Sequence, residues 1–169
     1  KLLGITDHGP GTLAAGTSSY FRSLTYAPKK RFGIELLFGV ELNILDIDGH
    51  LDLNDELLGE LDYAIASMHA QNYKSGSVKE NTSAYLNAMV HPCVKVLGHC
   101  DNPAFPVDYE TLAVKVADKV LEMEECPYEA QVNLVLTDNE EIKRVNTEFR
   151  DIERATDVLS FPMIPFETP

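Results

Sequence analysis

Short apolar runs alternate with segments of helical spacing over the first two thirds of the chain. Four of these runs predict buried strands, because the strands of a parallel sheet covered on both faces are apolar almost throughout. They are residues 2–6, 34–44, 63–68 and 94–98. The segments between them, residues 18–27, 54–61 and 81–89, have helical spacing. Asn54 and Asn81 are predicted to be the N-caps of the second and third helices. This alternation predicts an α/β layer or barrel.

The pattern changes after residue 108. Asp108 predicts the N-cap of an amphipathic helix whose apolar residues recur at helical spacing from Ala113 to Leu121. Residues 131–137 predict a strand, Asp138 predicts the cap of a second helix, and residues 156–163 predict a last strand. This part of the chain therefore indicates an α+β unit and not a continuation of the same layer.

Composition narrows the class of protein. Three cysteines without a CxxC pair argue against a disulfide framework and favour a reducing cytoplasm. The formal net charge of −13 argues against a broad surface for nucleic acid, although a local groove bearing arginine stays open. Apolar runs are shorter than the roughly 20 residues that cross a bilayer, so no membrane partner is expected. The start at Lys1 leads directly into a predicted strand, which we interpret as a cut or processed end.

Four potential metal ligands lie at or near the ends of the four predicted strands. They are His8, Glu41, His69 and His99. The carboxyl ends of parallel strands share one edge, so residues distant in sequence can meet there. Imidazole and carboxylate together suit Zn, Mn or Fe. A single histidine is more often a hydrogen-bonded core or loop residue, but the recurrence at equivalent strand ends favours a metal site.

Four segments resemble successive blocks of the PHP (polymerase and histidinol phosphatase) domain, in particular its small phosphatase branch. They read LLGITDHGPG, LLFGVELNILDIDG, LDYAIASMH and VKVLGHCDNPAFPVDYE. The resemblance implies a partial distorted β/α barrel over residues 1–107 and a small-molecule phosphate ester as substrate. It also implies that His8, Glu41, His69 and His99 bind metal, with Glu41 as the bridging carboxylate. Asp7 would either orient its neighbouring ligand or have a structural role.

The resemblance is incomplete in its metal ligands. The family begins with an HxH pair on its first strand and ends with a DxH pair on a late strand. This sequence has no HxH pair, and no DxH pair follows His99. A complete three-metal site is therefore not expected, although a partial site for one divalent ion is. His50 and His91 match no ligand position and are predicted to lie at the surface or to be structural.

The stretch CPYEAQVNLVLTDNEEIKRVNTEFRDIERATDVLSFPM resembles the N-terminal half of YbeY, a zinc-dependent endoribonuclease that matures ribosomal RNA. The resemblance implies a partial α+β unit over residues 108–169, with ribosomal RNA or the ribosome as a partner. It also implies that Arg150 contacts an RNA phosphate. Glu153 stands where that family usually has aspartate, and the HGxLHLxGYDH motif that holds its zinc does not occur here.

Three hypotheses about function remain open at this point. The first is a fragment of a metal-dependent phosphoesterase joined to part of an rRNA-maturation endoribonuclease, with both metal sites incomplete. The second is a YbeY-type zinc endoribonuclease acting on rRNA, and the third is a truncated chimera without catalytic activity. Residues 105–110 fit either family, so we place the join there, and the incomplete ligand sets favour an inactive fragment.

Overall fold

The computed structural model describes residues 1–162 of the chain. The chain forms two compact units, Lys1–Pro127 and Tyr128–Pro169. The boundary between residues 107 and 108, which the change in sequence pattern and the two resemblances predict, stays a prediction. None of the described helices is long and apolar enough to cross a membrane.

The first unit contains five strands and four helices, which alternate along the chain except where the second and third strands follow one another. The strands are β1 (Leu2–His8), β2 (Lys30–Arg31), β3 (Ile34–Asn43), β4 (Tyr63–Ser67) and β5 (Val94–Gly98). The helices are α1 (Ser18–Leu24), α2 (Asp55–Leu58), α3 (Val78–Ala88) and α4 (Tyr109–Met123). All four predicted strands are therefore confirmed, whereas α1 and α2 each end three residues earlier than predicted.

The sheet is parallel along the order β1-β3-β4-β5, and β2 forms a short antiparallel pair with the start of β3. In this register His8 lies opposite Glu41, and Ser67 lies opposite both Asn43 and Gly98. The carboxyl ends of the parallel strands thus meet at one edge. The prediction of an α/β fold is confirmed; the described residues do not close the sheet into a barrel, so the barrel stays a prediction.

The core includes the strand β3, which lies between β1 and β4, with Val40 and Leu42 fully buried. Within β3, Phe38 to Asn43 is a buried run interrupted by Glu41, which is partly exposed. Phe21 of α1 and Tyr85 of α3 are fully or almost fully buried against this core. The Tyr85 hydroxyl donates a hydrogen bond to the carbonyl of Gly98, at 2.8 Å, and so ties α3 to the end of β5.

The N-terminal caps of the helices agree with the sequence at three of four predicted positions. Asn54, Asp108 and Asp138 each accept a hydrogen bond from the first turn of the following helix. The prediction for Asn81 is wrong. The helix α3 begins earlier because Ser77 and Glu80 form a reciprocal capping box, which satisfies two backbone donors at once.

Asn81 is instead the fourth residue of α3, and its side chain is buried. Its amide accepts a hydrogen bond from the Gly76 backbone and donates to the carbonyl of Pro106, at 2.9 and 3.0 Å. Asn81 therefore joins α3 to the chain that leads into α4. A second bond to the same chain runs from the Asp108 backbone to the hydroxyl of Thr82, at 2.9 Å.

The described part of the second unit contains the helix α5 (Asn139–Arg150). The two strands predicted around it are wrong as far as the structure describes them: residues 131–137 and 156–162 have no strand assignment, and Met163 lies outside the described residues. A strand requires a hydrogen-bonded neighbour, and residues 131–137 have none among the strand pairs of the described chain. Their apolar side chains are accordingly exposed, as at Leu134 and Val135.

Candidate metal centre

The strand ends bring the four predicted ligands together. His8 is the last residue of β1 and Glu41 lies beside it on β3. His69 follows two residues after β4, and His99 follows immediately after β5. Because β1, β3, β4 and β5 are parallel, these positions share the carboxyl edge of the sheet.

Glu41 lies at the centre of this cluster. One carboxylate oxygen is 2.9 Å from Nε2 of His99 and 3.4 Å from Nε2 of His69, and the other oxygen is 3.5 Å from Nε2 of His8. Ligand atoms of His8, Glu41 and His69 all lie within 4.8 Å of one another, a spacing that can hold a metal ion. The geometry thus places all four side chains in one group; their role as metal ligands stays a prediction.

The electrostatics of the cluster favour the protonation states that a metal ion requires. Burial raises the pKa of Glu41, but the nearby Ser67 hydroxyl and the three imidazoles lower it by more, so the net shift is downward. The Ser67 hydroxyl itself is buried and has no hydrogen-bond partner of regular geometry. Burial also lowers the pKa of His69, and this outweighs the opposite influence of Glu41. An ionised carboxylate and a neutral imidazole are the forms that bind metal.

His99 holds its place through an uncommon backbone conformation. Its φ is 55°, in the left-handed region that non-glycine residues seldom adopt. Its side chain is 55% exposed, compared with 21% for His69. The cluster therefore has a buried side at His69 and a side open to solvent at His99.

Asn43 and Asp52 support the cluster and were missed by the sequence analysis. Nδ1 of His69 lies 2.7 Å from Oδ1 of Asn43, and the Asn43 amide donates to Asp52 at 2.6 Å. Asn43 is fully buried two residues beyond Glu41 on β3. A fully buried polar side chain so close to a candidate ligand on one strand is the signal that could have identified it.

Asp7 contacts a different part of the unit. Its carboxylate accepts a hydrogen bond from the hydroxyl of Tyr20 in α1. That hydrogen bond, together with burial and the charge of Asp7, raises the pKa of Tyr20. Side chains of adjacent strand residues point to opposite faces, so Asp7 and His8 diverge. The contact fits a structural role, and an orienting role for Asp7 stays a prediction.

The two remaining histidines make their contacts outside the cluster. His50 is exposed, and its Nδ1 lies 2.8 Å from a carboxylate oxygen of Asp46. His50, Asp46 and Asp48 form a second group of side chains whose potential ligand atoms lie close together. Nδ1 of His91 accepts a hydrogen bond from the Cys93 backbone at 3.2 Å, within the connection from α3 to β5. These contacts agree with the surface and structural positions predicted for the two residues.

Arg150, in the second unit, is the last residue of α5. Its guanidinium donates a hydrogen bond to the carbonyl of Ser160, at 3.0 Å, and lies 5.9 Å from the centre of the Phe161 ring. The side chain therefore holds residues 160–161 near the end of the helix. Its contact with an RNA phosphate stays a prediction.

The fold and the cluster define a mixed α/β protein with a candidate metal centre at the carboxyl edge of a parallel sheet. The sequence profile of the family described as endoribonuclease YbeY matches residues 99–169. Curated relatives match as well, among them a probable phosphatase of Clostridium botulinum strain Hall, 43% identical over 119 residues, which are 70% of this chain and 49% of that relative.

Two further relatives carry the same description. A probable phosphatase of Clostridium novyi strain NT is 40% identical over 70% of this chain and 49% of its own length. Another, from Thermoanaerobacter sp. strain X514, is 40% identical over 73% of this chain and 51% of its own length. The chain thus spans about half the length of the curated relatives it matches. Similarity to YbeY and to phosphatases is confirmed, whereas the PHP domain stays a prediction.

Proposed function

We propose that the chain joins part of a PHP-type metal-dependent phosphoesterase, residues 1–107, to part of a YbeY-type endoribonuclease, residues 108–169. The observation that carries the first part is the convergence of three imidazoles on the carboxylate of Glu41. The relatives described as probable phosphatases support the same part. A match over 70% of the chain and a match to residues 99–169 must overlap, which supports a join within a segment similar to both families.

The donor set fits a divalent ion such as Zn, Mn or Fe. Three neutral nitrogen donors and one carboxylate are the ligands that these ions accept. A bound ion would polarise a phosphoryl oxygen and acidify a water molecule. Glu41 would balance the charge of the ion, and His69 would anchor it on the buried side. The half-exposed rings of His8 and His99 leave the opposite side open for a phosphate ester.

Replacement of His69 by alanine should weaken Zn²⁺ binding by at least about tenfold, since loss of an outer-sphere partner alone has effects of that size. Titration calorimetry of the full chain with Zn²⁺ measures the change, and circular dichroism checks that the fold is retained. Hydrolysis of a generic phosphomonoester, measured beside it with Mn²⁺ or Zn²⁺, would show whether the partial site also catalyses.

His91→Ala is the matched control, because it removes an imidazole that lies on the connection from α3 to β5. Its Zn²⁺ affinity should equal that of the unaltered chain. If neither His69→Ala nor His99→Ala changed the affinity, the assignment of the ligands would be wrong.

A second candidate function, binding of RNA by residues 108–169, is favoured by the match to the YbeY profile. Arg150 is exposed at the end of α5 and uses one nitrogen of its guanidinium on the Ser160 carbonyl. A guanidinium has five donors, so others stay available for the oxygens of a phosphate.

Arg150→Ala should weaken binding of a single-stranded RNA oligonucleotide and reduce the slope of log affinity against log salt by about one, because one phosphate contact is lost. Fluorescence anisotropy over a series of salt concentrations measures both. Arg144→Ala serves as the control, since that guanidinium is already paired with Glu141 and Glu148. Equal slopes for Arg150→Ala and the unaltered chain would count against an RNA contact.

A further inference from the structure

A carboxylate outside the ligand cluster lies behind His69. Asp52, in the connection between β3 and α2, accepts three hydrogen bonds. They come from the backbone of Asn43 at 2.9 Å, the side-chain amide of Asn43 at 2.6 Å and the backbone of Gly11 at 2.8 Å. Asp52 therefore links the central strand to the loop that follows β1.

The position of Asp52 fixes the direction of the Asn43 amide. An ionised carboxylate can only accept hydrogen bonds, so the NH₂ group of Asn43 must face Asp52. Its carbonyl oxygen then faces the opposite way, towards Nδ1 of His69 at 2.7 Å and the hydroxyl of Thr12 at 3.1 Å. Asn43 is fully buried, so water cannot offer its amide a competing partner.

The orientation of Asn43 in turn fixes the tautomer of His69. A carbonyl oxygen has no proton to give, so a hydrogen bond with Nδ1 requires the proton to reside on Nδ1. Nε2 then carries the free electron pair, and this atom lies 3.4 Å from the carboxylate of Glu41. Nε2 of His69 and the carboxylate of Glu41 therefore face one another as two acceptors, and a cation between them would interact favourably with both.

The loop after β1 is shaped for this contact. A Cβ atom at Gly9 would lie 2.5 Å from a carboxylate oxygen of Asp52, and one at Gly11 would lie 3.0 Å from the same oxygen. The distance at Gly9 is shorter than Cβ atoms in proteins essentially ever show, and the distance at Gly11 is tighter than nine in ten Cβ contacts. Glycine at both positions lets the backbone come close enough for Gly11 to donate to Asp52.

We propose that Asp52 is a positioning residue: acting through Asn43, it holds His69 in the Nδ1–H form and directs Nε2 towards Glu41 and the candidate metal centre. The fixed tautomer is a property of the metal-free chain. Its use in metal binding rests on the proposed function, because a neutral histidine binds a metal ion through the nitrogen that lacks the proton.

The tautomer can be measured directly by long-range ¹H–¹⁵N correlation spectra of the metal-free, ¹⁵N-labelled full chain, recorded well above the ordinary histidine pKa of about 6.5. His69→Ala assigns the signals. We expect the Nδ1–H pattern for His69 in the unaltered chain. In Asp52→Asn we expect a mixed or Nε2–H pattern, because an amide at position 52 no longer dictates which way Asn43 points.

Two further variants separate positioning from general stability. Asp55→Asn removes the same charge from a side chain that is 92% exposed, and it should leave the His69 pattern unchanged. The double variant Asn43→Asp with Asp52→Asn again places a group that only accepts opposite Nδ1, with a donor behind it, and should restore the Nδ1–H pattern. Zn²⁺ titration should show a roughly tenfold to hundredfold loss of affinity in Asp52→Asn and partial recovery in the double variant.

The outcomes distinguish this inference from the proposed function. An Nε2–H pattern in the unaltered chain, or an Nδ1–H pattern that survives Asp52→Asn, would overturn the positioning role. The tautomer of the unaltered chain is measured without any variant, so the inference can be overturned even if Asp52→Asn does not fold. If the tautomers behave as expected but the unaltered chain takes up no Zn²⁺, the positioning role stands and the metal-dependent function fails.

Discussion

Replacement of Glu41 by glutamine should lower Zn²⁺ affinity by more than about 100-fold. Loss of a group that merely supports a ligand already costs roughly ten- to hundredfold, and Glu41 is itself the candidate ligand. Its carboxylate is the group on which His8, His69 and His99 converge. Glutamine keeps the size of the side chain but removes the charge and one acceptor, so the remaining donors are all neutral. Competition with a zinc-binding dye measures the affinity.

Glu35→Gln provides the matched control for this prediction. Glu35 lies on the same strand, β3, but is exposed near its start, far along the strand from the carboxyl edge. It should bind Zn²⁺ like the unaltered chain. Affinity within tenfold of normal in Glu41→Gln would show that the cluster is held together by hydrogen bonds alone and is not a metal centre.

Leu42→Ala should reduce the free energy of unfolding of the first unit by about 2–5 kcal/mol, the range for truncation of a buried leucine. Leu42 is fully buried on β3, which has hydrogen-bonded neighbours on both sides. Its removal leaves a cavity that the paired strands cannot easily collapse to fill. Urea denaturation followed by circular dichroism gives the free energy.

The same substitution at Leu13 tests whether burial is the cause. Leu13 is 86% exposed, so Leu13→Ala should change stability by no more than about 0.5 kcal/mol. A loss below 1 kcal/mol in Leu42→Ala would mean that the first unit is loosely packed around β3.

The sequence was most informative where a local pattern and the tertiary fold agree. The strands β3 and β4 are apolar runs in the sequence and are covered in the structure, so their type followed from composition. The rule that parallel strands share a carboxyl edge then placed His8, Glu41 and His69 together without any knowledge of distances. That inference required the topology alone, which is why it succeeded.

Other features depend on contacts between distant residues, and the sequence could not show them. Residues 131–137 have an apolar pattern suited to a strand, but such a pattern forms one only beside a partner, and their side chains are exposed. The hydrogen bond between Asn43 and Asp52 joins a strand to a loop residue nine positions further on. Its effect on the candidate site depends on the contact of the same Asn43 side chain with His69. At Asn81, two possible caps competed, and the reciprocal pair of Ser77 and Glu80 prevailed.

The left-handed backbone at His99 favours glycine, whereas the candidate metal centre requires the imidazole of that residue. Glycine would adopt φ = 55° freely, whereas histidine there costs on the order of 1 kcal/mol. A screen for thermostable variants would therefore favour glycine at this position, and each variant it selected would have lost the imidazole nearest to Glu41. In this protein the most stable variants and those with the full set of donors are expected to be different molecules.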